Sequence, residues 1–181
     1  ADFGSGYCVF NDIAICATIA VESLGFSRVA IIDLDVHQGD GTATMLADSP
    51  GALTISVHCK DNFPFRKAAS DHDLPLDSGS GDLRYLEKVG EALQIVENYK
   101  PDLVLFQAGV DALEKDGLGK LKVTREGMKA RNRMVLSVIV EKAIPCVIFM
   151  GGGYSEPISH TVDAFYDLFT DSAMANSYMQ Q

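Results

Sequence analysis

The sequence predicts an α/β protein built on a mostly parallel β-sheet. Short, continuous runs of β-branched and other apolar residues alternate along the 181-residue chain with longer segments of helical periodicity. Such runs are typical of strands that are covered on both faces, and their alternation with helices is typical of βαβ units. Since one domain usually contains about 100–200 residues, the whole chain, residues 1–181, is predicted to form a single domain.

Four segments have the pattern of strands and three have the pattern of helices. The predicted strands are at residues 29–32, 53–57, 103–106 and 146–149, and the predicted helices are at residues 12–24, 82–99 and 124–142. Gly25 and Pro101 stand where helices commonly end, and Thr124 can cap the helix that it begins. Residues 73–81 are rich in Asp, Ser and Gly and are predicted to form a loop inside the domain.

Charge and cysteine usage argue against several classes of function. The chain has 15 Lys and Arg residues against 25 Asp and Glu residues, a net charge of -10. An acidic surface repels phosphate backbones and anionic lipids, so neither direct nucleic-acid binding nor a membrane-surface role is expected. No apolar run approaches the ~20 residues that span a bilayer. The four cysteines are far apart with apolar neighbours, which predicts reduced core thiols in a soluble, cytoplasmic protein; they are Cys8, Cys16, Cys59 and Cys146.

Polar and glycine-rich segments follow all four predicted strands. The first strand is followed by Asp-Leu-Asp-Val-His-Gln-Gly-Asp-Gly at residues 33–41, and the second by His58 and Phe63. The third is followed by Gln-Ala-Gly-Val-Asp at residues 107–111, and the fourth by Gly-Gly-Gly-Tyr at residues 151–154. In open parallel sheets, ligands bind beyond the carboxyl ends of the strands. The convergence of these segments therefore predicts a functional site at one edge of the sheet.

Two carboxylates and one imidazole in these segments could hold a metal ion. Asp33, Asp35 and His37 alternate with period two, so in an extended segment their side chains point to one side. Asp111 would arrive from a neighbouring strand end, and a set of two carboxylates with one imidazole neutralises a divalent ion. Three protein ligands leave room for water or substrate, as in catalytic zinc or iron(II) sites. The alternative is that the aspartates cap helices and that the histidine is a hydrogen-bonded core residue.

Four blocks of the sequence resemble the histone deacetylase superfamily, which includes bacterial acetoin-utilisation-type and acetylpolyamine deacetylases. They are Gly-Tyr-Cys-Val-Phe-Asn-Asp at 6–12, Ile-Asp-Leu-Asp-Val-His-Gln-Gly-Asp-Gly-Thr at 32–42, Gln-Ala-Gly-Val-Asp at 107–111 and Gly-Gly-Gly-Tyr at 151–154. Gln38 resembles the class IV and bacterial branches rather than class I, which has a second histidine there. The resemblance implies a three-layer α/β/α fold of the arginase/deacetylase type that lacks its N-terminal part.

The resemblance also implies roles for individual residues. Asp35, His37 and Asp111 match zinc ligands, and Tyr154 matches the tyrosine that polarises the substrate carbonyl and stabilises the oxyanion. Tyr7 and Phe63 match the aromatic walls of an acyl-lysine tunnel, although taken alone each could simply be packed in the core. The remaining implied positions are Gly6, Leu118, Gly152 and Gly153 at the tunnel and Asp33, Asp35, His37 and Ser56 at a monovalent cation site that usually holds potassium.

The sequence departs from the family pattern at the general base. The family has two adjacent histidines a few residues before the Gly-Tyr-Cys block, and that pair would fall upstream of Ala1. Asp33 and Asp40 match the carboxylates that orient the pair. Of the other histidines, His58 is better interpreted as a structural hydrogen-bonding residue than as a base, and the last two are expected at the surface; they are His72 and His160.

Three functional hypotheses follow. The first is a zinc-dependent deacetylase that acts on acetyl-lysine or small acetylated amines, with activity of this chain alone in doubt because the histidine pair is missing. The second is a catalytically impaired member that binds a metal or acyl ligands. The third, an arginase-like enzyme with two manganese ions, needs more Asp and His ligands than these strand ends provide. Loss of the leading strands would expose apolar surfaces, so self-association into a homo-oligomer is also expected.

Overall fold

The computed structural model describes residues 4–179, which form a parallel sheet with helices on both faces. The strands are β1 (Val29–Asp33), β2 (Ala52–Cys59), β3 (His72–Leu76), β4 (Leu103–Gln107) and β5 (Cys146–Phe149). The helices are α1 (Asp12–Glu22), α2 (Asp40–Leu46), α3 (Asp82–Tyr99), α4 (Arg125–Glu141) and α5 (Ser159–Met179). The strand order is β3-β2-β1-β4-β5, and every neighbouring pair is parallel.

Two hydrophobic clusters lie on opposite faces of the sheet. Val29 and Ile31 of β1 pack with α1 on one face, whereas Ala30 and Ile32 pack with α3, α4 and α5 on the other. All five residues of β1 are buried, because a strand in the middle of a parallel sheet is covered from both sides. The predicted three-layer α/β/α architecture is therefore confirmed, and all four predicted strands are present.

Local signals set the beginnings of two helices. Asn11 caps α1, since its side chain accepts a hydrogen bond from the Ala14 amide at 2.9 Å. Thr124 caps α4, as the sequence predicts, by accepting from the Gly127 amide at 3.0 Å. A cap of this kind contributes about 1 kcal/mol, because it satisfies an amide that has no partner inside the helix.

Three elements differ from the sequence prediction. The predicted loop at residues 73–81 begins within β3, an edge strand that pairs with β2 from His72 to Leu76. Its residues are mostly exposed, so it lacks the apolar run that marks the central strands. Neither α2, with seven residues, nor α5, with 21 residues, is among the predicted helices. No helix in the described part of the chain is long and apolar enough to cross a membrane.

The expected burial is wrong for two cysteines and for one strand. All four cysteines are free thiols, but Cys8 and Cys16 are exposed, and only Cys59 is fully buried. Cys16 lies on the outer side of α1, because Ala14, Ala17 and Ala20 turn their side chains toward the sheet. Strand β5 is covered incompletely, since it forms the edge of the sheet and its Val147 is 45% exposed.

Candidate active site

Three side chains from two strand ends meet at one edge of the sheet. Asp35 and His37 follow β1, and Asp111 follows the adjacent strand β4. One ligand atom of each lies within 4.8 Å of the others. The Nδ1 atom of His37 is 3.0 Å from Asp35 Oδ1 and 2.9 Å from Asp111 Oδ2. Both carboxylates are buried, while the imidazole is partly exposed toward a cavity.

Backbone amides fix the orientation of the two carboxylates. The Val36 amide donates to Asp111 Oδ1 at 2.8 Å, and the Gly152 amide donates to Asp35 Oδ2 at 2.7 Å. The segments that follow β1, β4 and β5 are therefore tied together through these carboxylates. Such contacts pre-organise a metal site, because ligands that are held in place need no rearrangement when an ion enters.

The site requires glycine at two positions. A Cβ atom at Gly152 would lie 2.0 Å from Asp111 Oδ2, and one at Gly109 would lie 2.2 Å from Asp35 Oδ2. These distances are far below any van der Waals contact, so a side chain at either position would displace a carboxylate. The glycines after β4 and β5 thus let the backbone approach the buried carboxylates closely.

The charges at the site raise two pKa values. Burial and the nearby Asp35 carboxylate raise the pKa of Asp111 to about 8. Burial would lower the pKa of His37, but hydrogen bonds to Asp111 and Asp35 outweigh it and raise that pKa to about 10. For Asp35, burial would raise the pKa, but hydrogen bonds from His37 and Asp111 outweigh it and lower it. Two buried carboxylates facing one imidazole therefore form a cluster that needs positive charge between them.

A divalent cation fits this donor set. Two carboxylate oxygens and one imidazole nitrogen lie within 4.8 Å of one another, and a doubly charged ion between them would offset both buried negative charges. The fourth side faces the cavity, which leaves a coordination position for water or substrate. First-row divalent ions that accept mixed nitrogen and oxygen ligands suit the site.

Tyr154 lies beside the cluster of Asp35, His37 and Asp111, called the ligand cluster below. Its ring centroid is 6.4 Å from that of His37, and the two ring planes meet at 78°. Burial raises the pKa of the phenol to about 12, so at neutral pH the hydroxyl keeps its proton and can donate a hydrogen bond. The backbone amide of Tyr154 donates to Asp116 Oδ2 at 2.6 Å, which fixes the turn that carries the ring.

A cavity of about 1070 Å³ opens above the cluster. Most of the predicted tunnel residues line it, namely Gly6, Tyr7, Phe63 and Leu118, together with Tyr154. The Tyr7 ring is 5.8 Å from the Tyr154 ring, and Gly6 and Tyr7 both have positive φ angles, of 56° and 64°. Gly152 and Gly153 do not line the cavity. They lie in the turn that leads to Tyr154, so they contribute to the shape of that turn.

Asp33 forms a second buried acidic position beneath the cluster. It ends β1, pairs in register with Ser56 of β2, and accepts a hydrogen bond from the Asp35 amide at 3.1 Å. Burial and repulsion by Asp35 raise its pKa well above the usual range. A small cavity of about 10 Å³ lies against Asp33 and Ser56. Asp40, the first residue of α2, lines the large cavity as well, and its side chain accepts from the Gly41 amide at 2.9 Å.

The remaining histidines lie away from the cluster. His58 is buried and contacts Ser56 Oγ at 3.0 Å, and burial lowers its pKa, which agrees with a structural role. His72 and His160 are exposed, as predicted. Among residues 4–179, His37 is therefore the histidine that lines the cavity.

Arg131 supports the site from behind and has no sequence signal. Its guanidinium group is fully buried and donates to the Gly109 carbonyl at 2.7 Å and to Asn132 Oδ1 at 3.0 Å. It also lies over the Phe106 ring, 5.5 Å from the centroid. These contacts hold the segment that leads from β4 to Asp111.

Two further polar residues at the site escape sequence analysis. Asp116 accepts hydrogen bonds from the amides of Leu118 and Gly119 as well as from Tyr154. Its only local signal is an Asp-Gly turn, which indicates a bend but not a partner. Asn62 is 4% exposed next to Phe63, and its Nδ2 atom is 3.3 Å from His37 Nε2.

Comparison with known proteins gives one consistent family. The histone deacetylase domain matches residues 1–167. An uncharacterized protein of Picosynechococcus sp. strain PCC 7002 is 44% identical over 162 residues, which cover 88% of this chain and 54% of that protein. Histone deacetylase 2 of Arabidopsis thaliana is 37% identical over 166 residues, which cover 90% of this chain and 43% of the relative. The chain thus spans about half the length of the curated relatives that it matches.

Solved structures share the fold. The HDA15 HD domain superposes with a TM-score of 0.80 and 26% identity, covering 92% of this chain and 50% of that one. Acetylpolyamine aminohydrolase from Burkholderia pseudomallei superposes with a TM-score of 0.79 and 24% identity, covering 91% of this chain and 51% of that one. The predicted arginase/deacetylase-type fold is therefore confirmed. With the domain match over residues 1–167, these likenesses establish that the chain belongs to the histone deacetylase family.

Proposed function

We propose that the chain provides the metal site of a zinc-dependent deacetylase, an amide hydrolase that removes acetyl groups from acetyl-lysine or small acetylated amines. The observation that carries the proposal is the convergence of Asp35, His37 and Asp111 beside the Tyr154 phenol. Relatives named histone deacetylase and acetylpolyamine aminohydrolase support acetylated amines as the substrate class.

In this proposal, Asp35, His37 and Asp111 hold zinc, with iron(II) as an alternative. When bound, the ion supplies Lewis-acid polarisation of the acetyl carbonyl and lowers the pKa of a water molecule. Tyr154 donates a hydrogen bond to the carbonyl oxygen as negative charge develops on it. Its proton is available for this because the pKa of the phenol is raised to about 12.

The aromatic residues at the cavity have a positioning role. Tyr7 and Phe63 form apolar walls of the open cavity that would contact the aliphatic part of an acetylated amine, and Leu118 lies at the rim. Gly6 supplies backbone at the same opening, while Gly152 and Gly153 shape the turn below Tyr154.

A second cation is proposed at Asp33. Its carboxylate is buried, and the effect of burial and of Asp35 on its pKa exceeds the opposing effect of the His37 imidazole. We propose potassium there, held by Asp33 and Ser56 with the backbone of Asp35 and His37. Its charge would stabilise the ionised carboxylate and support the loop that carries the zinc ligands.

A binding protein without turnover is the second candidate. The observation that favours it is that, within the described residues, His37 is the histidine that lines the cavity, so Asp33 and Asp40 have no second imidazole to orient. A missing general base usually costs about 10²–10⁴ in rate. A site with two manganese ions is less well supported, since the described residues form one cluster of three ligands.

One experiment separates the two candidates. Zinc affinity would be measured by competition with a chromogenic chelator, and turnover with a fluorogenic acetyl-lysine peptide at saturating zinc. Asp111→Ala is expected to lose zinc binding, whereas Asp48→Ala, at an exposed position, is the matched control. Turnover that Asp111→Ala abolishes supports the deacetylase, tight zinc binding without turnover supports the binding protein, and absence of zinc binding contradicts both.

We further propose a single cytoplasmic domain that self-associates through apolar surface at the β5 edge. Val147 is 45% exposed and Met150 is 62% exposed there, and an uncovered edge strand can pair with another copy. Light scattering is expected to show dimers or larger species, and Val147→Lys is expected to reduce them. A monomer at high concentration would contradict this proposal.

A further inference from the structure

We propose that Asn62 is a positioning residue that joins the Phe63 wall of the cavity to its Leu118 rim through its side-chain amide. This inference rests on the proposed function, because it assigns the residue that sets the geometry of the same cavity. Asn62 lies in the connection between β2 and β3, directly before Phe63, and it is only 4% exposed. A buried amide must be hydrogen-bonded, so its partners indicate what it does.

The partners of Asn62 belong to the segment that carries the Leu118 rim. Its Nδ2 donates to the Leu118 carbonyl at 2.8 Å, and its Oδ1 accepts from the Lys120 amide at 3.0 Å. The Phe63 wall and the Leu118 rim come from separate loops, and more than 50 residues of sequence separate Asn62 from Leu118. One side chain therefore uses its donor and its acceptor to hold the Leu118 rim against the Phe63 wall.

Neighbouring contacts fix the backbone on which Asn62 sits. The Nζ atom of Lys67 donates to the Asn62 carbonyl at 2.7 Å and to the Pro64 carbonyl at 2.6 Å. The Nζ atom of Lys120 donates to the Asp61 carbonyl at 2.6 Å. These lysine contacts stabilise the backbone of the Phe63 loop. None of them involves the side-chain amide of Asn62. Lys67 thus offers a way to loosen the loop while leaving the bridge between the wall and the rim intact.

The same amide lies beside the ligand cluster, with Asn62 Nδ2 at 3.3 Å from His37 Nε2. Asn62 is thus in contact with a wall, a rim and the imidazole at the floor of the cavity. Removal of the amide would leave the Leu118 carbonyl and the Lys120 amide without their partner. Since a lost partner at a buried polar group is costly, the rim would move to find water, and the channel would widen.

The test compares Asn62→Ala with Asn98→Ala, the same change at an exposed position of α3. Calorimetric binding of an acetyl-lysine peptide to the zinc-loaded chain is expected to weaken about tenfold in Asn62→Ala and to stay unchanged in Asn98→Ala. The cobalt(II) absorption spectrum is expected to keep its intensity per site, which shows that the ligand cluster persists. Where turnover is measurable, KM rises and kcat stays within about twofold.

Two more variants guard against a loss caused by loosening of the loop alone. Asn62→Asp keeps the acceptor for Lys120 but sets a carboxylate oxygen against the Leu118 carbonyl, so it is expected to lose at least as much affinity as Asn62→Ala. Lys67→Met loosens the Phe63 loop without touching the bridge, so it is expected to bind peptide better than Asn62→Ala. Equal losses in Lys67→Met and Asn62→Ala would overturn the role of the amide.

The remaining outcomes separate this inference from the proposed function. Peptide binding by Asn62→Ala that equals wild type overturns the positioning role and leaves the deacetylase site untouched. A wild-type chain that takes up cobalt(II) but binds no acetyl-lysine peptide overturns the proposed substrate, and the positioning role with it.

Discussion

The metal-free chain is expected to lose stability as the pH rises from 6 to 8, because the ligand cluster binds protons in the folded state. The pKa of Asp111 is raised to about 8 by burial and by the Asp35 carboxylate. The pKa of His37 is raised to about 10 by its hydrogen bonds to Asp111 and Asp35, against the opposing effect of burial. Unfolding returns both groups to water, where they give up their protons at lower pH.

The two shifts act in the same direction in this pH range. A raised carboxyl pKa means that the stability present below about pH 4 is lost progressively as the pH rises to about 8. A raised histidine pKa means that its contribution is full below about pH 6.5 and is lost as the pH rises toward 10. Each proton held only by the folded state changes the free energy of unfolding by about 1.4 kcal/mol per pH unit. The two shifts depend on each other, because His37 is raised by the Asp111 carboxylate, so we count one proton and expect a fall of about 1.4 kcal/mol per pH unit around neutral pH.

The measurement is urea unfolding in the presence of a chelator at pH 6, 7 and 8. A fall of this size is a large share of the ~5–15 kcal/mol that stabilises a typical domain. Asp111→Asn removes one titrating carboxylate and the charge partner of His37, so its pH dependence is expected to be much weaker. Asp48→Asn is the exposed control and is expected to behave as wild type. Stability that stays constant or increases from pH 6 to 8 would refute the charge arrangement described for the cluster.

Three other predictions test single features of the site. Tyr154→Phe is expected to lower turnover about 10²–10³-fold while zinc affinity stays within about twofold, since in the proposed function the phenol donates to the substrate and not to the metal. A parallel loss of zinc affinity would contradict this. Gly152→Ala is expected to weaken zinc binding at least about tenfold in chelator competition, because the new Cβ would lie 2.0 Å from Asp111 Oδ2. Unchanged zinc affinity would show that the turn can shift. Arg131→Met is expected to destabilise the fold by about 3 kcal/mol in urea unfolding, because the Gly109 carbonyl loses a charged donor. A loss of stability below about 1 kcal/mol would show that water replaces the guanidinium group.

The sequence predicts the centre of the fold well and its periphery poorly. Strand β1 is a run of apolar residues, because it lies in the middle of the sheet and is covered on both faces. Strand β3 is an edge strand with mostly exposed residues, so its segment has the composition of a loop. Helix α2 has only seven residues, which is too short for a helical period to be recognised. Central burial therefore leaves a pattern in the sequence, whereas an edge position does not.

In the candidate site, too, residues within a local motif could be predicted from the sequence, whereas residues with distant partners could not. Asp35 and His37 stand two residues apart after a strand, and this spacing predicts that they share one side. Asn62 and Arg131 act through partners that are distant in sequence, the Leu118 carbonyl for one and the Gly109 carbonyl for the other. Nothing in their own neighbourhood indicates such partners, because those contacts exist only once the loops have come together.

The way in which Asp116 holds the Tyr154 turn makes this position suitable for chemical labelling. Asp116 accepts a hydrogen bond from the main-chain amide of Tyr154 and not from the phenol, so an altered ring at position 154 leaves that hydrogen bond intact. Fluorinated tyrosines could therefore be incorporated there to change the acidity of the hydroxyl in small steps. Their fluorine resonances would report directly whether an acetylated amine has entered beside the imidazole.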